Sequence, residues 1–399
     1  MKGGDIWWMN HAHHHADDAD LPLHSLIPLV NRRDLFTLLP PWFLASDESH
    51  YCIGIHDQPA FSHPLLKNHT IQKSLTGTRA KSEWPTYEAH VSKVKCPVDT
   101  IPVQIVTALD HRAKPQTGTI NRSYQHEYAT VATDRLEKLY GTIATINVWE
   151  PVVENSGELS LAQMWITSGD CETKDLNTIE VGWQVCEVFY KDNKPRLFIY
   201  WTSDTYNTTG GYNLHDPGFV QTSSEVVLGG AISPLSSIGG RRQFEITILV
   251  WKDPRSGNWW LRVGTDLAGY WPRELFTTLG DHAGKIDWGG EIIDSESFGR
   301  HTKTQMGSGR FPQEGFGNAS YFRNIQVVDH TCNFQPTPEL FTHADTPYYD
   351  IKNLHRDELG THFFFGGPGF GHRHSGVVSL SLSQFFLYLC FSFFIIIII

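Results

Sequence analysis

Between about residues 126 and 330, apolar side chains recur at every second position. Segment 141–149 puts Thr142, Ala144, Ile146 and Val148 on one side. In 179–185, Ile179, Val181, Trp183 and Val185 face one way, and Glu180, Gly182 and Gln184 the other. Segment 196–202 sets Leu197, Ile199 and Trp201 against Phe198, Tyr200 and Thr202. A period of two is the mark of a strand with a buried face. Segments 244–251 and 259–263 are two more strands, joined by Asp253-Pro254-Arg255-Ser256-Gly257-Asn258, a run of turn formers. Segment 319–328 is another. Helical periodicity is scarce, and its best short stretch is 134–140. Many short strands of this kind predict an all-β fold, a sandwich or a barrel.

The flanks are different. Residues 1–50 lack a coherent pattern, and the cluster His11, His13, His14 and His15 reads as a solvated tail rather than a metal site. The apolar stretch 21–44 is broken by Asn31, Arg32, Arg33 and Asp34, so no secretory signal is expected from it. Residues 51–107 form a small unit, and a disulfide from Cys52 to Cys96 would staple a module too small to hold itself together otherwise. Residues 108–125 are polar and without period, which makes a linker open to proteolysis. The hydrophobic tail 376–399 ends in five isoleucines. It reads as a membrane anchor, as a lipid-anchor signal with Gly371 or Ser375 as the attachment residue, or as an erroneous end.

Lys+Arg total 32 against 43 Asp+Glu, and this net charge of −11 gives no general attraction to nucleic acid. Aromatic residues reach 13%, including 13 Trp, enough to build a large core. Six cysteines contain no C-x-x-C pair, which excludes a zinc ribbon and a thioredoxin motif. Sequons at Asn68, Asn121, Asn207 and Asn318, beside an even cysteine count, lean toward a secreted glycoprotein.

The chain has no G-x-S-x-G, no phosphate-binding P-loop and no H-E-x-x-H. Its chemistry therefore rests on carboxylates. Glu180 shares a strand face with Gln184, and Gly182 between them leaves space above the sheet. Glu291 follows Gly289-Gly290, with Trp288 beside it as a candidate pocket wall. Segment 301–309 is polar and small and offers Gln305 to line a cleft. Each glutamate alone also fits an ordinary exposed strand or turn, and spacing does not show that the two meet. Two carboxylates in one cleft suit a peptidase, where one activates water and the other donates a proton. They equally suit a glycoside hydrolase. A non-catalytic module that binds cell-wall glycan or peptide through the aromatic residues is the alternative from another class.

A set of longer words then narrows the field. They are Gln58-Pro59-Ala60-Phe61 with 63–70, Cys96-Pro97, 146–151, 177–185, 198–202 and 217–222. In the second half follow 257–261, Gly269-Tyr270-Trp271-Pro272, Trp288-Gly289-Gly290-Glu291, 304–309 and Ala319-Ser320-Tyr321. In this order, over roughly 50–370, the chain resembles the plant neprosin family of glutamic peptidases with an N-terminal activation peptide. The resemblance implies an antiparallel β-sandwich catalytic domain over 126–371, preceded by a small α+β or irregular pro-domain over 51–107. It implies Glu180 and Glu291 as the catalytic pair, with Glu180 as the water-activating base and Glu291 as acid or oxyanion stabiliser. Gln184, Trp201, Trp288 and Gln305 are the expected substrate-binding residues. It further implies a peptide or protein substrate cleaved after proline in acid, with no metal or cofactor. The pro-segment is then an intramolecular inhibitor removed at the 108–125 linker, and the location is extracellular, cell wall or vacuolar. Two departures stand out. Gly211 and Asp216 replace a pair of cysteines before Pro217, and Phe370 takes the place of a cysteine, which leaves Cys332 without its usual partner.

Overall fold

The period-two segments are strands in the computed structural model, which describes residues 50–73, 87–106 and 124–371, apart from 136, 296–298 and 358–359. The expected extension up to residue 49, the linker residues 108–123 with Asn121, and the apolar tail lie outside the described residues, while Gln125, expected to end the linker, begins a strand. The chain-order strands before the first long one are β1 (His50–Gly54), β2 (Tyr87–Glu88), β3 (His90–Val91) and β4 (Thr100–Gln104). Then follow β5 (Gln125–Thr133), β6 (Gly141–Asn147), β7 (Ser160–Ser168), β8 (Asn177–Val185), β9 (Arg196–Thr202), β10 (Gly211–Tyr212), β11 (Val220–Gln221) and β12 (Ile232–Ser233). The rest are β13 (Phe244–Lys252), β14 (Trp259–Val263), β15 (Asp266–Trp271), β16 (Lys285–Asp294), β17 (Ser320–Val328), β18 (Phe334–Pro336), β19 (Leu340–Ala344), β20 (Asp350–Asp357) and β21 (Gly360–Gly366).

Two antiparallel sheets carry the molecule. One has seven strands in the order β10-β9-β8-β7-β16-β5-β19. The other runs β11-β15-β14-β13-β6-β17-β21-β20, with β18 added on β17 and β2 running parallel on β13. The even-numbered apolar residues of β6 and the odd-numbered ones of β8 point into one shared core. Ala144, Ile146, Ile179, Val181 and Trp183 meet Trp201, Trp259, Trp271 and Trp288 there. Each such large side chain stabilises the sandwich by about 1.5–3 kcal/mol through burial alone. The fold is an antiparallel β-sandwich.

The stretch 134–140 is not the helix its periodicity suggested. Leu139 and Ala283 exchange both backbone hydrogen bonds, which commits groups a helix would need. The α-helix among the described residues is α1 (Glu187–Tyr190), four residues long and closed by Lys191 at φ 58°. No described helix is long and apolar enough to cross a membrane.

The segment ahead of the sandwich is bonded into it rather than attached to it. Leu66, Ala89, Val91, Ile101 and Val103 belong to the main core. Ala60 and Ile71 cover the outer face of the larger sheet, against Trp251, Trp260 and Tyr270. The Gln58 amide, almost fully buried, acts as one more strand: its Oε1 accepts from Gln221 N–H at 2.7 Å and its Nε2 donates to Gln221 C=O at 3.2 Å. Cys52 and Cys96 are disulfide-bonded, with Cα atoms 5.8 Å apart. Cys332 and Cys186 are free thiols. Where the cysteine pair is replaced, Tyr212 N–H donates to Asp216 at 3.0 Å, so a hydrogen bond ties that loop.

Candidate active site

Strand register fixes which side chains meet on the outward face of the seven-stranded sheet. Three successive rows cross it. The first is Tyr200, Glu180, Trp165 and Asp287. The second is Phe198, Gly182, Gln163 and Gly289. The third is Gln184, Leu161, Glu291 and Tyr128. Glu180 and Glu291 therefore share a face, on strands either side of β7, with Gln163 in the row between them. Gly182 is needed for close approach: a Cβ there would lie 2.0 Å from the Ala162 carbonyl oxygen and 2.6 Å from Gln163 Cα. The gap foreseen at this glycine is where Gln163 stands.

Glu180 is buried, 5% exposed, and three donors converge on it. Tyr206 O–H and Thr178 O–H donate to Oε1 at 2.7 and 3.0 Å, and Gln163 Nε2 donates to Oε2 at 3.2 Å. Tyr206 comes from a loop whose residues 205 and 206 have φ near 60°. The Asp204 carboxylate pins that loop by accepting from Thr208 and Thr209. Burial alone would raise the Asp204 carboxyl, but those bonds hold it down at about 2, so it stays an acceptor in acid.

Burial is the largest influence on Glu180. It pushes the carboxyl up, the nearby charge of Glu291 adds to the push, and the three donors offset only part of it. The result is about 7. Below that pH Glu180 is a neutral acid. Glu291 has a different setting. Its Oε1 meets His126 Nδ1 at 2.5 Å. Tyr128, opposite it in register, stays a neutral phenol because burial, then the charge of Glu291, pushes it well above the ordinary tyrosine range. Asp287, the third carboxylate on this face, is tied to Lys285 Nζ at 2.6 Å. It is thereby set apart from the pair.

Gln184 lies on the same face and donates to the Tyr212 hydroxyl. Three expected pocket residues lie elsewhere. Trp201 pairs with Ile179 in register, so it points into the core, where its Nε1 donates to Pro217 C=O at 3.2 Å. Trp288 alternates with Glu291 on β16 and also points inward, donating to Thr142 Oγ1 at 3.2 Å. Gln305 bonds to the Val152 backbone through its side chain and its own N–H, and none of its hydrogen bonds reaches the glutamates. Gln163, Tyr206, Thr178 and His126 were not foreseen. Only Gln163 carried a local signal, a polar residue between Leu161 and Trp165 on the face opposite Ala162, Met164 and Ile166. Asn68 and Asn207 are exposed, whereas Asn318 accepts from Gly239 N–H at 3.2 Å.

One group of metal-ligating type lies outside this face. Ligand atoms of Glu127, Asp294 and His301 sit within 4.8 Å of one another. Both ring nitrogens of His301 are engaged, Nε2 with Glu127 at 2.8 Å and Nδ1 with the Thr302 carbonyl at 2.7 Å. Burial alone would lower this imidazole, yet the bonds to Glu127 and Thr302 raise it. A doubly protonated ring itself supplies the positive charge these carboxylates need.

The sequence profile of the Neprosin family matches residues 156–368, more than half of the chain. The chain belongs to the Neprosin family. It is thus a peptidase, and the profile of the Neprosin activation peptide matches residues 46–141. That second match runs through the linker and across β5, the strand that carries His126 and Tyr128. Among solved structures, the chain is similar to scytalido-glutamic peptidase with a peptide-based transition-state analogue, at 12% identity and a TM-score of 0.33. The likeness covers 63% of this chain and 100% of that one. A second structure of scytalido-glutamic peptidase, with a transition-state analogue inhibitor, matches at 12% identity and a TM-score of 0.31, covering 62% and 98%.

Proposed function

We propose that this Neprosin-family chain is the zymogen of an acid endopeptidase that uses Glu291 as the base and Glu180 as the acid. The observation that carries this reading is the register that puts two buried carboxyls on one sheet face, Glu180 among three donors and Glu291 held, among the described residues, by His126. The roles are the reverse of those expected from sequence. A base must be ionised, and burial holds Glu180 as a neutral acid up to about 7.

A water between the pair gives a proton to Glu291, and its oxygen attacks the scissile carbonyl carbon. The carbonyl π electrons move to oxygen, and neutral Glu180 donates a hydrogen bond or its proton to that oxyanion. Collapse reforms the C=O, returns to Glu180 any proton it gave, and breaks the C–N bond. The proton held by Glu291 leaves with the amine. Above about 7, Glu180 ionises beside Glu291 and its donor is lost, so activity belongs to acid pH.

Cleavage after proline is supported by the family to which the chain belongs. The pro-segment is the intramolecular inhibitor. Secretion is supported by the Cys52–Cys96 disulfide, which needs an oxidising compartment. The sugar-stacking alternative loses its main support, because Trp183, Trp201, Trp259, Trp260, Trp271 and Trp288 are all buried. The test is product mapping: acid-activated protein is given a proline-containing peptide and the fragments are weighed. Fragments ending in proline, absent with E291Q, support the reading; no cleavage by the wild type at any pH overturns it.

A further inference from the structure

Glu291 and Glu180 are held in unequal ways. Three donors fix both oxygens of Glu180. Among the described residues, the hydrogen bond that holds the Glu291 side chain comes from His126. His126 lies on β5 opposite Ile293, two residues from Tyr128, which lies opposite Glu291, so ring and carboxylate are diagonal neighbours on one face. Its side chain is 2% exposed. The ring lies parallel to Tyr128, with centroids 6.3 Å apart and planes 19° from each other. Tyr128 is itself clamped: its N–H donates to the Asp345 carboxylate at 2.8 Å, and its C=O accepts from Asp345 N–H at 3.1 Å.

The direction of the bond follows from the chemistry of the partners. An ionised carboxylate only accepts, so Nδ1 carries the hydrogen. His126 Nε2 is buried and has no hydrogen-bond partner among the described residues. The ring therefore makes one hydrogen bond, and it makes it to Glu291.

We propose that His126 is the positioning residue of the general base: its Nδ1–H ties down Oε1 of Glu291 and leaves Oε2 as the oxygen that takes the proton from water. This rests on the two-glutamate reading above. Without the tie, the carboxylate rotates about its own side chain, and a base displaced by about 1 Å loses on the order of a hundredfold in rate. Substrate affinity does not depend on that tie, so the loss falls on kcat.

The experiment is steady-state cleavage of a proline-containing fluorogenic peptide by the acid-activated full chain, as wild type, H126A, H126N and E291Q. The Asn amide nitrogen stands where Nδ1 stands, so H126N keeps the donor and loses the ring. The expected result is a fall in kcat of about a hundredfold in H126A, with KM within about threefold of wild type and most of the loss recovered in H126N. Either of two results overturns the proposal: kcat of H126A within about threefold of wild type, or H126N no more active than H126A. If H126A does not fold, H126L fills the ring's space without a donor and is judged by the same criterion. Activity in E291Q removes the two-glutamate reading itself, whereas an inactive E291Q beside a fully active H126A removes only the role of His126.

Discussion

Gln163 donates to Glu180 from the row of the sheet that lies midway between the two glutamates. Glu180 is level with Trp165 and Glu291 with Leu161, four residues apart along β7, and Gln163 is at the centre of that diagonal. The amide thus couples to Glu180 without belonging to either carboxylate's strand. Its bond favours the charged form of Glu180, as do those of Tyr206 and Thr178, while burial and the charge of Glu291 oppose it.

The neutral-side limb of the rate profile should respond to these donors. Removing a donor that favours the carboxylate raises Glu180 further, so the limb moves to higher pH. Tyr206 is the strongest of the three donors. Y206F should therefore shift the limb upward by roughly one pH unit, and Q163L by less. A pH–kcat profile of each variant checks this. A limb that moves toward acid in Y206F would contradict the assignment of Glu180 as the acid.

Stability should carry the same signature. Glu180 is raised from 4.5 to about 7 on folding, so between those values the folded chain holds a proton that the unfolded chain has lost. The stabilising contribution is whole below about 4.5 and is lost as pH rises through about 7. The gap corresponds to about 3 kcal/mol. Denaturant melts of wild type and E180Q across this window should show the wild type losing stability relative to E180Q by that order. Parallel curves would show that Glu180 is not held neutral.

The pro-segment's grip should depend on one buried amide. Q58L removes the partner of both backbone groups of Gln221, and each buried group left unpaired costs about 1–3 kcal/mol. The thermal midpoint of the full chain should fall by several degrees. An unchanged midpoint would mean that the Gln58 contact adds nothing to the docking of the segment on β11.

The sandwich and the position of Glu180 opposite the core were legible because β8 alternates cleanly, with every apolar residue on one face. Trp201 and Trp288 were misplaced for a physical reason. Strands β9 and β16 are buried almost throughout, so period two marks a strand without telling which face is core. Glu291 after its two glycines also fitted a turn, yet β16 runs unbroken for ten residues, and three steps along a strand put Trp288 and Glu291 on opposite faces. Gln163, Tyr206 and His126 join the site through register and through a loop. Such pairings between distant segments leave no trace in spacing along one chain. The burial of Glu180, which outweighs its three donors, is likewise a property of the folded sheet.

We propose Glu180 as the neutral acid and Glu291 as the ionised base. The most direct measurement is peptide cleavage from pH 2 to 8 by wild type, E180Q and E291Q after acid activation. The glutamine at 180 can still donate a hydrogen bond but has no proton to give or lose. E180Q should retain a rate about a hundredfold to a thousandfold below wild type and show no neutral-side limb, while E291Q should be inactive throughout. Residual activity in E291Q with a complete loss in E180Q would contradict the account and return the base role to Glu180.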